Sequence, residues 1–198
     1  MNTRLLLKVL ITVLGLASAS IGLSQTPRAA SYPDRPISMV IAYAPGGGTD
    51  VIGRVIAQQL GAVLKQSVVV VNKAGAGGTI GAANVAGSPA DGYTLFFAES
   101  SLLVAPHVYA SPGFDLKSFT PIAAVGTLPC VLVSSPGFPA KNWAELIPLL
   151  KSKPGQFSYA TGGIGSIPHL SGELFQQLAG VKLLHVPYQG GGKLLTDV

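Results

Sequence analysis

The chain has 198 residues, 48% of them hydrophobic and only 11% charged, a balance that excludes an intrinsically disordered polymer. Its formal charge of +5 is scattered, with Lys151 and Lys153 the nearest approach to a basic cluster, so a nucleic-acid surface is excluded too. Glycine (25) and proline (15) are frequent enough to predict short elements joined by tight turns, in one domain or two small ones.

The first segment reads as an export signal. Arg4 and Lys8 lead into the apolar stretch 9–16, and the small residues Ala17-Ser18-Ala19 supply a cleavage site, giving a signal peptide over 1–19. A membrane anchor fits less well, because Lys8 and several small and hydroxyl residues interrupt the roughly 20 apolar residues that a spanning helix requires. A polar leader follows over 20–31.

Residues 37–43 predict a buried strand, which Pro45-Gly46-Gly47-Gly48 ends. Ile52, Val55, Ile56, Leu60, Val63 and Leu64 recur at helical spacing and predict an amphipathic helix over 49–64. A second β-branched strand is expected over 67–71, then a loop over 72–78 and a small-residue helix over 79–86. Residues 93–98 predict a third strand, ending at Glu99-Ser100-Ser101. Strands apolar on both faces, alternating with helices, predict an α/β fold with a mainly parallel sheet.

The apolar run 122–134 crosses Pro129 and is expected to pass from one lobe to another. Cys130 lies within it and is expected to be a buried structural thiol. As the only cysteine it can form no intramolecular disulfide. A helix over 141–151 is expected to kink or end early at Pro148. Then come a short strand over 157–160, a helix over 166–178 with Ile167, Leu170, Leu174, Phe175 and Leu178 on one stripe, and a strand over 183–186. After Pro187-Tyr188-Gln189-Gly190-Gly191-Gly192, residues 194–198 read as the first turn of a helix without a terminating signal, so the chain reads as cut off.

Two loops share a layout: apolar strand, glycine-rich turn, then a helix whose first turn carries a hydroxyl. The first is Pro45-Gly46-Gly47-Gly48-Thr49-Asp50 and the second Thr161-Gly162-Gly163-Ile164-Gly165-Ser166, running on to His169. The first N–H groups of a helix lack internal partners, and its dipole places about half a positive charge there. Glycines let a ligand approach that backbone, so each loop can hold an anion without an arginine. The plainer alternative is that the glycines only turn the chain while Thr49 and Ser166 cap helices. His169 either reaches the ligand or orients its loop. Asp50, in a helical first turn, is expected to act structurally, since a carboxylate repels an anion. Tyr188 either lines a cleft or belongs to the core.

Competing chemistries lack their residues. A dinucleotide fingerprint requires G-x-G-x-x-G, and the sixth positions counted from Gly46, Gly75 and Gly163 are Val51, Ile80 and Pro168. A phosphate loop ending in Gly-Lys-Ser/Thr and a G-x-S-x-G nucleophile elbow are both missing. His107, His169 and His185 show no metal-ligand spacing. Neither a cofactor, a metal nor a catalytic function is expected.

Several motifs in order carry a family resemblance. Tyr32-Pro33-Asp34-Arg35-Pro36-Ile37, the Pro45-to-Asp50 loop, Asn72-Lys73-Ala74-Gly75-Ala76-Gly77-Gly78-Thr79-Ile80-Gly81, Pro89-Ala90-Asp91-Gly92-Tyr93-Thr94-Leu95 and His185-Val186-Pro187-Tyr188 together resemble the receptors of tripartite tricarboxylate transporters, the Bug family. The resemblance implies a periplasmic binding protein fold of type II. Its first lobe would cover 32–124, and its second, incomplete in this chain, 125–198. It further implies a receptor that holds a small organic carboxylate and delivers it to membrane permease subunits. A monomer is expected, and the alternatives are a receptor domain that reports the ligand to a sensor kinase and a secreted α/β enzyme. Carried onto these positions, the ligand contacts are Ala44, Pro45, Gly46, Gly47, Gly48 and Thr49 in the first lobe, with Ser100 at a strand end. In the second they are Thr161, Gly162, Gly163, Gly165, Ser166 and His169, with Tyr188. Where relatives carry Asn-Arg-Pro-Gly, this chain has Asn72-Lys73-Ala74-Gly75, a less rigid loop.

Overall fold

The computed structural model describes residues 31–198. The expected signal peptide over 1–19, and the leader up to residue 30, lie outside the described residues. Arg35–Val198 forms one compact unit that contains two parallel sheets.

The first sheet is built on β1 (Ile37–Ile41), flanked by β2 (Val68–Asn72) and β3 (Thr94–Phe97) in the order β2-β1-β3. Both pairings are parallel, with Met39 opposite Val70 on one side and Leu95 on the other. The central position explains the composition of β1. Ile37, Met39, Val40 and Ile41 are all buried, and Ala42 and Tyr43 extend that core past the strand's end.

Between β1 and β2 runs α1 (Gly48–Leu64), and α2 (Thr79–Ala86) joins β2 to β3. Both helices lie close on β1 because glycines face it. A β-carbon at Gly53 would stand 2.5 Å from Ile41 Cδ1, and one at Gly81 would stand 2.8 Å from Ala42 Cβ. Helix α3 (Ser101–Val108), which the strand and helix patterns did not anticipate, follows β3 and carries Pro106.

Residues 120–134 depart from expectation. They form no helix or strand, and all of them are exposed, with Ile122 at 81%. Cys130 is consequently exposed rather than buried. An apolar run becomes core only where another element presents a face or an edge to it, and no described strand pairs with this one.

The second sheet pairs β4 (Ser158–Thr161) with β5 (Leu184–Pro187) in parallel, Thr161 opposite Pro187. Helix α4 (Trp143–Ser152) precedes it and continues through Pro148 instead of stopping there. Asn142 caps it by accepting from the Glu145 N–H, and Glu145 accepts in return from the Lys141 N–H at 2.7 Å. Helix α5 (Ile167–Ala179) connects the two strands and closes with Gly180 in the left-handed region. The last element is α6 (Gly191–Asp197). Among the described residues no helix is long and apolar enough to cross a membrane.

Candidate functional site

The end of β1 delivers the chain into the first glycine loop, and a buried polar network fixes that loop from behind. Asp50 is only 3% exposed. Its carboxylate accepts from the Gly46 N–H at 3.0 Å, from Arg54 Nε at 2.9 Å and from Asn72 Nδ2 at 2.8 Å. Asn72 also donates to the Tyr43 carbonyl at 2.9 Å and accepts from Arg54 at 2.9 Å. Burial opposes the charge on Asp50, but the hydrogen bonds from Arg54, Gly46 and Asn72 outweigh it and hold the carboxyl at about 2. Asp50 is structural, as expected, and its role extends from the helix end to β2.

In front of this network the N-terminus of α1 is open. Gly47 occupies the N-cap without a side-chain cap, and the first intrahelical bond runs from the Val51 N–H to the Gly47 carbonyl. The N–H groups of Gly48 and Thr49 thus have no acceptor within the helix. Gly48 is exposed, and a β-carbon there would meet nothing within 4 Å. The Thr49 hydroxyl donates to Glu99, which places a carboxylate beside the helix end.

The second glycine loop is wired differently. Ser166 is the N-cap of α5 and 1% exposed. Its hydroxyl donates to the Gly163 carbonyl at 2.7 Å and accepts from the His169 N–H at 3.4 Å. Pro168 has no N–H to offer, so α5 presents fewer free donors than α1. The shared sequence layout therefore conceals an inequality between the two helix ends.

His169 orients the loop: the Gly165 N–H donates to its Nδ1 at 3.1 Å. Its ring stacks on that of His185, with centroids 4.2 Å apart, and His185 stacks in turn on Tyr159 at 4.9 Å. His185 Nε2 lies 2.7 Å from the buried Thr161 hydroxyl, which also accepts from the Gly163 N–H at 3.2 Å.

The loops converge by backbone contact. The Ala44 N–H donates to the Gln189 carbonyl at 2.9 Å, and a β-carbon on Gly47 would lie 3.1 Å from the Gly191 nitrogen. Gly162 faces both Gly190 and the Tyr43 ring. A fourth segment, 75–78, joins them. Gly77 has φ of +61°, and a β-carbon there would collide with the Ile164 carbonyl, so no other residue permits the approach. Tyr109 also donates to the Ile164 carbonyl, at 2.7 Å.

The structure thus brings together Ala44 to Thr49, Thr161 to Gly165 and the loop after Tyr188. Ser166 sits beneath them with its hydroxyl occupied. Pro45 and Gly46 are exposed. Ser100 is exposed at the start of α3, and its neighbour Ser101 points inward instead, 2.8 Å from the Tyr43 hydroxyl. Tyr188 is half-buried, and its hydroxyl donates to Asp197 at 3.0 Å. Four residues at this convergence escaped sequence reasoning: Tyr43, Gly77, Glu99 and Ser101. The signal for Gly77 was present in the run Gly75-Ala76-Gly77-Gly78, whereas that for Tyr43 was hidden in an apolar strand. Among the described residues no group of three or more His, Cys, Asp or Glu side chains could hold a metal ion.

The model of the tripartite tricarboxylate transporter family receptor, TctC, matches residues 52–198. The chain is 40% identical over 192 residues to Protein BugT of Bordetella pertussis, covering 96% of this chain and 59% of that protein. It is similar to the solved periplasmic binding protein BugD, with 36% identity and a TM-score of 0.76 over 84% of this chain and 56% of that one. The R. palustris protein Rpa4515, solved with adipate, gives 34% identity and a TM-score of 0.81 over the same shares, 84% and 56%. The chain thus spans little more than half the length of these relatives.

Proposed function

Because the chain belongs to the tripartite tricarboxylate transporter receptor family, we propose that it is a periplasmic receptor that captures a small organic carboxylate and passes it to membrane permease subunits, without catalysis. The two sheets are read as the beginnings of two lobes, 32–124 and 125–198, with the ligand between their glycine loops. One observation carries this reading: the N-terminus of α1 opens in front of a rigidly braced loop, with an exposed glycine at its first position. A carboxylate there would accept from the Gly48 and Thr49 N–H groups and meet the positive end of the helix dipole, which must outweigh the opposing charge of Glu99 at the Thr49 hydroxyl. Loop 161–166 would supply the opposing wall by its backbone, with its hydroxyls held back for internal bonds. Closure of the lobes around the ligand would then present the loaded form to the permease. The adipate bound to Rpa4515 supports a carboxylate as the ligand class.

The test is thermal unfolding of the chain against adipate, malate and other small mono-, di- and tricarboxylates. A folded-state ligand at about 100 times its dissociation constant adds about 2.7 kcal/mol. At least one acid should raise the melting temperature saturably. Gly48→Ala should melt as the wild type does without ligand, since its methyl group meets no neighbour, yet lose the ligand-induced rise. If no acid stabilises the wild type, or if Gly48→Ala responds fully, this site assignment is wrong.

A further inference from the structure

The histidine stack behind the second glycine loop has a consequence for ligand capture. A backbone N–H can donate to His169 Nδ1 only if that nitrogen carries a lone pair, so the Gly165 bond at 3.1 Å requires a neutral ring with its proton on Nε2. Nε2 points towards Glu173, 3.9 Å from its Oε1. Protonating Nδ1 would turn an acceptor into a donor facing another donor, and the bond that holds Gly165 would be lost.

Several groups surround the pair. From β5 comes His185, whose ring lies 4.2 Å from that of His169. From β4 come Tyr159, stacked on His185, and Thr161, hydrogen-bonded to it. From α5 itself comes Glu173, which accepts from the Tyr159 hydroxyl and, at 3.0 Å, from Gln176. Two imidazoliums this close would repel, so a second proton on the stack is disfavoured. Burial, and then the neighbouring His169, push His185 below its ordinary 6.5, with Glu173 opposing. Glu173 faces His169 at the opposite side of the ring from Gly165, 3.9 Å from Nε2. Beside the ring it would offset part of a new positive charge there, which leaves the loss of the Gly165 hydrogen bond as the effect that ligand affinity tests.

We propose that His169, braced by His185, is a positioning residue that holds the second glycine loop in its ligand-receiving form only while its ring is neutral, which makes carboxylate capture proton-linked. The idea rests on the loop belonging to the ligand cleft, as proposed above. Acidification should therefore weaken binding, and the midpoint should follow the titration of the stack.

The experiment has one arm that involves no ligand. In the unliganded chain, the Gly165 amide resonance and the ring nitrogens of His169 and His185 are followed by NMR from about pH 8 to about pH 5, the range over which imidazoles titrate. The Gly165 amide should move with the same midpoint as His169. In the second arm, the affinity for fully ionised adipate is measured over that range, each value corrected for the fraction of the acid that is protonated at that pH. Wild-type affinity should fall by roughly fivefold or more, the scale of one lost hydrogen bond. His169→Asn places an amide oxygen near the Nδ1 position and cannot titrate, so it should bind at about pH 5 as the wild type does at about pH 8. His169→Ala should bind weakly at every pH. If that variant fails to fold, His169→Asn decides alone. A Gly165 amide that ignores pH overturns the proposal, as does affinity that is flat or rises on acidification. An amide that titrates beside a chain that binds no carboxylate at any pH would instead overturn the receptor reading, and the linkage with it.

Discussion

Replacing Asp50 with asparagine tests whether the buried network behind the first glycine loop stabilises the fold as its geometry implies. Asparagine matches the shape of aspartate but has one acceptor oxygen where the carboxylate uses two. Three donors converge on that carboxylate, from Gly46, Arg54 and Asn72, at 2.8 to 3.0 Å. The new amide N–H₂ must therefore face at least one of them. Holding the carboxyl at about 2, against an ordinary 3.8, is worth about 2.5 kcal/mol at about 1.4 kcal/mol per tenfold change in proton affinity. The opposed donors raise the expected loss to between about 3 and 4 kcal/mol. Urea unfolding followed by circular dichroism measures it. The pH dependence adds a sign. A folded pKa below the unfolded value gives stability that is complete above about pH 4 and is lost as pH falls through about 2. The gap between wild type and Asp50→Asn should accordingly be constant near neutrality and narrow below about pH 4. A variant within about 0.5 kcal/mol of wild type at neutral pH, or a gap indifferent to acid, would refute the reasoning.

Ser166→Ala removes both the cap of α5 and the donor to the Gly163 carbonyl, and should cost about 1 to 2 kcal/mol in thermal or urea unfolding. A neutral result would mean the hydroxyl is not the cap described. Cys130, exposed within 120–134, should react stoichiometrically with a thiol reagent under native conditions, at a rate little changed by denaturant. Protection until unfolding would show that this segment is covered in solution.

Much of the secondary structure was legible because its signals are local. The strand over β1 announced itself by a continuous β-branched and apolar run, and α1 by a stripe at helical spacing. Helix α3 was not legible. In Ser101-Leu102-Leu103-Val104-Ala105-Pro106-His107-Val108 the apolar residues show no one-sided period, and proline argues against a helix. The opposite error befell 120–134, whose apolar composition suggested burial.

The candidate site divides along the same line. Glycine loops ahead of helices are local patterns, so the residue order is enough to show where backbone N–H groups could be bared, and the ordered motifs pointed to the family. It could not determine which helix end would keep its donors free. That depended on Ser166 and His169 turning inward, and on Pro168. Nor could it bring Asp50 to Asn72, Tyr43 to Ser101, Gly77 to Ile164 or His169 to His185. Each pair is separated along the chain. Asp50 meets Asn72 and Tyr43 meets Ser101 because parallel strands return their ends to one end of the first sheet. His169 meets His185 because α5 packs beside β5, and Gly77 meets Ile164 where loops of the two sheets touch. Hydrogen bonding and ring stacking act over a few ångströms of space and are blind to sequence separation, so which side chains brace the glycine loops and which stay exposed follows from the tertiary arrangement.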